Sequence, residues 1–248
     1  MSRGAAKRAS RAAAQEVKET PSRVVKLKFV EQKEASNPKF VPMNAKQRKY
    51  AKLIQEHNTV FATGYAGTSK TFVPTCLAAE AFIRGDIEKI ILSRPNISNS
   101  ESLGMFKGTL EEKMKPWLRP VLNILRMYMS HAEIMLHIEK ENIEFVPMET
   151  IKGNSFENAF IICDEAEDLS FDEMKKMVTR QGKNSKLILA GDITQSELKA
   201  ESGLRKIIEI SKKYDFIKAA HIDFNSFDDI VRSEEAKSWV MAFAKEGV

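Results

Sequence analysis

Cysteine is scarce in this chain: Cys76 and Cys163 are the only two in 248 residues. Each lies in an apolar or helical context, with no second Cys or His at ligand spacing, which excludes a disulfide framework and a zinc site. Both read as core residues, the usual position of a free thiol. No apolar run approaches the ~18 residues that a membrane span needs, and no apolar stretch of a secretory signal stands near the start. The expectation is a soluble intracellular protein in the cytoplasm, with no membrane partner. Internal repeats are absent, and so are low-complexity tracts beyond the first segment. The length accommodates one α/β domain of ordinary size with a tail to spare.

The net charge of +5 is unevenly placed. Residues 1–28 hold Arg3, Lys7, Arg8, Arg11, Lys18, Arg23, Lys26 and Lys28 against Glu16 and Glu19, so that segment carries +6 and the remainder −1. A cationic arm of this kind is drawn to phosphate polymers by counterion release. The same composition fits a solvated tail without a partner. A transit peptide is a third reading, because Ser2 to Ala14 is rich in Arg and Ala and free of acids. The division expected is a basic, flexible arm over 1–40, with a short strand suggested around Val24 to Val30, and a folded domain over 41–248.

Within that domain the pattern alternates. Asn44 caps a helix in which Tyr50, Leu53 and Ile54 recur at helical spacing up to His57. A strand follows at Thr59 to Thr63, then a Gly-rich turn, then a helix to about Arg84 that Gly85 ends. Strands are expected at Lys89 to Ser93, Ile143 to Val146, Ala159 to Cys163, Lys186 to Ala190 and Ile217 to Ile222. Helices are expected at Pro116 to Met129, His131 to Lys140, Ser170 to Thr179, from Gly203, and at the C-terminus. Residues 94–115 make a loop too long for a simple connection, which points to function. Apolar strands alternating with helices predict an α/β fold with a mainly parallel sheet covered on both faces.

The run Gly64-Tyr65-Ala66-Gly67-Thr68-Ser69-Lys70-Thr71 lies between an apolar strand and a helix. In a phosphate loop the backbone N–H groups converge on the phosphates, the lysine ammonium reaches the β and γ oxygens, and the next hydroxyl binds magnesium. Serine stands at 69 where the pattern has glycine. A Cβ there either crowds the phosphate or requires an altered backbone angle.

Phe160-Ile161-Ile162-Cys163-Asp164-Glu165 is a buried strand ending in two carboxylates. Asp164 is placed to hold magnesium with Thr71, and Glu165 to orient and deprotonate an attacking water. A later strand ends in Gly191-Asp192-Ile193-Thr194-Gln195. In P-loop proteins with a catalytic glutamate that strand lies between the other two, which gives Gln195 the place of a γ-phosphate sensor.

Taken with Ser93-Arg94-Pro95, Glu101-Ser102-Leu103-Gly104, Leu118-Arg119-Pro120, Asp164-Glu165-Ala166-Glu167, Thr179-Arg180 and Ser202-Gly203-Leu204, these motifs resemble the PhoH-like P-loop ATPases, including those of bacteriophages. The resemblance covers about residues 44–245. It implies a RecA-like core similar to the N-terminal half of superfamily 1 helicases, hydrolysis of ATP with Mg2+, and assembly into a homo-oligomeric ring, with a hexamer favoured. It also implies that Gln47 reads adenine. The chain departs from the family pattern at Ser69, at Glu167, usually glutamine, and at Lys152-Gly153-Asn154, usually arginines.

Phosphoryl transfer calls for a cation at the transition-state oxygens, and a single RecA-like domain leaves a neighbouring subunit to supply it. Arg180, in the Thr-Arg pair after the carboxylates, is the first candidate, ahead of Arg94, Arg205 and Arg232. The reading that follows is an Mg-ATP hydrolase acting on or with single-stranded nucleic acid, RNA favoured. Its rival is an interaction module that binds ATP with little turnover, for which Ser69 is the motive. A small-molecule kinase is disfavoured, since no arginine-bearing lid is evident.

Overall fold

The computed structural model describes residues 39–95, 110–148, 151, 155–196, 198 and 202–246. The basic arm, the strand around Val24, the Glu101-to-Gly104 motif and Lys152-Gly153-Asn154 lie outside the described residues. Residues from Asn37 onward belong to one compact unit.

Strands β1 (Thr59–Gly64), β2 (Lys89–Ser93), β3 (Ile143–Phe145), β4 (Ala159–Cys163), β5 (Lys186–Gly191) and β6 (Ala219–Phe224) form one sheet in the order β3-β2-β4-β5-β1-β6. Every pairing is parallel. Helices α1 (Ala45–Glu56), α2 (Phe72–Arg84), α3 (Leu110–Leu125), α4 (His131–Glu139), α5 (Phe171–Val178), α6 (Gly203–Lys213) and α7 (Glu234–Glu246) connect and flank it.

Because side chains alternate across a strand, the sheet buries two cores. On one face Val60, Ile90, Phe160, Ile162 and Ile222 meet Tyr50 and Ile54 of α1, Val73 and Leu77 of α2, Leu125 of α3 and Ile134 of α4. On the other, Phe61, Ile91, Ile161, Leu187 and Leu189 meet Met174 and Met177 of α5 and Leu204 and Ile208 of α6. Strands covered on both faces read as apolar runs, as β4 does with all five residues buried. This is the expected RecA-like α/β arrangement, and β5 does lie between β1 and β4.

Local signals explain the helix ends. The Asn44 side chain accepts from Gln47 N–H, and Gly85 closes α2 in the left-handed region at φ 76. Ser130 and Ser170 start α4 and α5 with reciprocal capping boxes to Glu133 and Glu173.

Two elements differ from the sequence reading by more than one residue at their ends. Helix α3 begins at Leu110 and ends at Leu125, so Pro116 lies inside it, and residues 126–128 form a turn. Strand β6 begins at Ala219 and runs on to Phe224, because its ladder with β1 continues to the pair Gly64–Phe224. The polar Asp223 is tolerated there since Thr63 donates a hydrogen bond to it at 3.1 Å, while His221 Nε2 lies 2.8 Å from the same hydroxyl. Burial pushes the His221 imidazole below its usual pKa, with Lys212 adding to the effect.

Candidate functional site

The carboxyl ends of β1, β4 and β5 converge on the loop from Gly64 to Thr71. Gly64 and Gly67 take φ 118 and 76, conformations that a side chain opposes. Ser69 shares the left-handed region at φ 70, so the altered backbone angle required of a serine is present. Its hydroxyl accepts from Gln47 Nε2 at 3.1 Å, and Gln47 Oε1 accepts from Met43 N–H at 2.8 Å. Gln47 is thus buried beside the loop, joining the entry to α1 to the phosphate cradle.

Lys70 Nζ donates to the carbonyls of Gly64 at 2.5 Å and Tyr65 at 2.7 Å, and its own carbonyl accepts from Tyr50 Oη at 3.0 Å. Burial lowers the lysine's pKa, opposed chiefly by the negative charges of Asp192, Glu167 and Asp164, while Arg232 acts with the burial. A half-buried ammonium whose acceptors are carbonyls of the loop's own start is held where a polyphosphate can replace them.

Thr71 Oγ1 donates to Asp164 Oδ1 at 2.6 Å, and Asp164 N–H is fixed by the Ser93 carbonyl at 3.0 Å. Two hard oxygen ligands side by side suit Mg2+, which takes one or two protein oxygens and fills its octahedron with water and phosphate. Among the described residues no group of three or more His, Cys, Asp or Glu is placed to hold a metal on its own. The donor set therefore fits magnesium brought in with a nucleotide.

Glu165 stands at φ 52 on the turn leading into a 3-10 helix, Ala166–Asp168. Its carboxylate forms an ion pair with Arg94 Nη2. Burial raises its pKa, and Arg94 opposes that rise. Glu167, two residues on, is buried against Gly191, where a Cβ would come 2.2 Å from its Oε2. Desolvation lifts its carboxyl to about 7. The Glu167 carbonyl accepts from Ser196 Oγ at 2.8 Å and Ser202 Oγ at 2.7 Å, tying the carboxylate turn to the loop after β5.

In that loop Asp192 is buried, and its Oδ1 accepts from Thr194 N–H and Oγ1, shaping the turn that ends at Gln195. The Gln195 side chain is exposed at the carboxyl end of β5, between the strands that carry Lys70 and Asp164.

Arg180 is elsewhere. Its carbonyl accepts from Phe156 N–H, and Gln181 bonds Thr59 and Asn58 at the start of β1. That is the amino edge of the sheet, separated from the phosphate loop by the length of a six-residue strand, roughly 20 Å at ~3.3 Å per residue. Within one chain Arg180 does not reach the site, so any part in hydrolysis is across a subunit boundary.

Of the three arginines that the sequence ranked lower, Arg94 and Arg232 touch the site, and Arg205 lines a cavity with Gly64, Tyr65 and Asp192. Arg94 meets Glu165, as its position directly after β2 allowed one to suspect. Arg232 lies over Gly67, a placement that depends on β6 pairing beside β1 and leaves no local signal.

A parallel sheet with the phosphate loop on β1, paired carboxylates on β4 and the strand order β4-β5-β1 defines a P-loop nucleotide-binding domain of the RecA-like class. Residues 39–244 match the family model described as PhoH-like protein, and the chain belongs to that family. It is 34% identical over 202 residues to a PhoH-like protein of Synechocystis, covering 81% of this chain and 61% of that one. It is 40% identical over 157 residues to Protein PhoH of Escherichia coli, covering 62% and 44%. The chain thus spans less than two thirds of the length of these relatives. Among solved structures, a large terminase from a thermophilic bacteriophage aligns at TM-score 0.49 and 14% identity, over 82% of this chain and 51% of that one. No helix among the described residues is long and apolar enough to cross a membrane.

Proposed function

We propose that this protein hydrolyses ATP with Mg2+ and does so on or with single-stranded nucleic acid, RNA in preference to DNA. The observation that carries the reading is the 2.6 Å contact of Thr71 with Asp164 beside a Lys70 held by carbonyls alone. It joins the two halves of a magnesium-nucleotide site that lie 93 residues apart in the sequence.

Bound Mg-ATP supplies an electrophilic γ-phosphoryl group whose charge the metal partly neutralises. Lys70 exchanges its two carbonyl acceptors for phosphate oxygens, gaining charge-assisted hydrogen bonds. Thr71 and Asp164 would hold the metal. Glu165 orients water and takes its proton, which requires its pairing with Arg94 to loosen. Gln195, exposed in the loop after β5, would sense the terminal phosphate, and Gln47, which hydrogen-bonds Ser69, would serve the adenine end.

Two finer elements complete the proposal. The +6 charge of residues 1–28 supports a nucleic-acid arm of low sequence specificity. The place of Arg180 at the amino edge of the sheet, away from its own chain's phosphate loop, supports a homo-oligomeric ring, six subunits favoured, in which Arg180 of one chain serves the site of the next.

The second reading, ATP binding with little turnover, is supported by the Arg94–Glu165 pair, which holds the base in an ion pair. One experiment separates them: ATP binding and phosphate release measured on the full chain, with and without single-stranded RNA. Release stimulated by RNA supports the hydrolase; tight binding without release under both conditions supports the module.

A further inference from the structure

The segment after β6 folds back onto the phosphate loop. Tyr65 N–H donates to the Phe224 carbonyl at 2.9 Å, and Val231 N–H donates to the Gly67 carbonyl at 3.0 Å. Between these two ties, the Tyr65 and Phe227 rings stack, with centroids 5.1 Å apart and planes 10° from parallel. Ser226 caps the 3-10 turn Phe227–Asp229, and Asp229 pairs with Lys46 of α1 at 3.7 Å. The loop is therefore gripped from outside by a collar running from 224 to 232.

Arg232 completes the collar. A Cβ on Gly67 would stand 2.3 Å from Arg232 Nε and 2.7 Å from its Cδ, so the side chain fills the space that glycine leaves open. Arg232 is exposed and makes no ion pair among the described residues. Its charge falls on Lys70, lowering that lysine's pKa. Two cations held on one anion cradle repel each other, and a polyphosphate is the ligand that turns this repulsion into attraction.

We propose that Arg232 is a nucleotide-binding residue of its own chain, placing its guanidinium against the phosphate chain held by Gly64 to Thr71. The proposal rests on the phosphate-loop reading above and adds to it a cation from the far end of the domain. It also accounts for glycine at 67 by a neighbour as well as by a backbone angle: a side chain there would displace the arginine.

The test is Mg-ATP titration calorimetry on the full chain, together with thermal unfolding with and without Mg-ATP. Arg232→Ala should weaken Mg-ATP binding at least about tenfold, the scale of losing a hydrogen bond to a charged group. Its melting temperature without nucleotide should stay close to that of the unchanged protein, while the rise on adding Mg-ATP shrinks. Arg232→Lys should recover part of the affinity. Arg232→Gln retains much of the packing against Gly67 without the charge, and should bind as weakly as the alanine variant. Unchanged affinity in Arg232→Ala and Arg232→Gln, with binding abolished in Lys70→Ala, overturns the proposal and leaves the phosphate loop standing. Unchanged affinity in Lys70→Ala overturns both.

Discussion

Gln47 donates a hydrogen bond to Ser69 across the rim of the phosphate loop, at 3.1 Å. The contact explains how a serine occupies a left-handed position at φ 70. Backbone strain of about 1 kcal/mol is offset by a side-chain hydrogen bond worth about as much. Ser69→Ala keeps the strain and loses the bond, whereas Ser69→Gly loses both. The glycine variant should therefore be more stable than the alanine variant by about 1 kcal/mol, read from urea unfolding midpoints. Equal midpoints would mean that the loop relaxes at 69 without cost.

Glu165→Gln should bind Mg-ATP normally and hydrolyse it at least ~100-fold more slowly, because Asp164 and Thr71 are untouched while the base is gone. Arg94→Ala acts on the same group in the opposite sense. Removing the guanidinium that favours ionised Glu165 raises its pKa further, so the acid limb of the turnover profile should move to higher pH. A profile that stays in place would show that Glu165 is not the titrating base.

Much of this site was legible because its parts sit at strand ends. Lys70, Asp164 and Gln195 each follow an apolar run bounded by turn residues, and the order β4-β5-β1 then brings them together. The limits of β2 and β4 matched the sequence reading because both strands are buried on both faces and end sharply. What escaped depends on pairing distant in sequence. Phe227 and Arg232 reach the loop only because β6 lies beside β1, and nothing in residues 217–232 announces that neighbour. Where Arg180 sits was not legible for a similar reason: the Thr-Arg pair follows the carboxylates closely in sequence, yet α5 runs back to the amino edge of the sheet, which leaves the role across a subunit boundary as the one expected of it.

Glu167 sets a pH dependence on stability. Its carboxyl titrates near 4.5 when unperturbed and about 7 in the folded protein, so the folded state holds the proton more tightly. The stability this contributes is complete below about 4.5 and is lost as pH rises through about 7. The loss is of order 3 kcal/mol at ~1.4 kcal/mol per pKa unit. Glu167→Gln removes the titration, so its stability relative to the unchanged protein should rise between pH 5 and pH 8, read from urea midpoints at both values. A constant difference would mean that the carboxyl ionises as it does in water.

The last prediction separates a neighbour's arginine from the chain's own. Arg180 is half-buried with its Nε enclosed, at the edge of the sheet opposite the phosphate loop. If a second subunit presents that edge to the site, Arg180→Ala should bind Mg-ATP with ordinary affinity while losing turnover, by about 10³-fold for an arginine finger. Turnover per chain should also rise steeply with protein concentration, since dilution removes the partner. Mixing is the sharper measurement. Arg180→Ala and Glu165→Gln subunits, each inactive alone, should regain activity together, because a mixed ring contains boundaries where an intact Glu165 faces an intact Arg180. Mixtures that stay inactive although subunits exchange would confine Arg180 to holding α5 and the Phe156 bridge at the amino edge. The chain's own candidates for the hydrolytic cation would then be Arg94 and Arg232, which touch the site, and Arg205, which lines a cavity with Gly64, Tyr65 and Asp192.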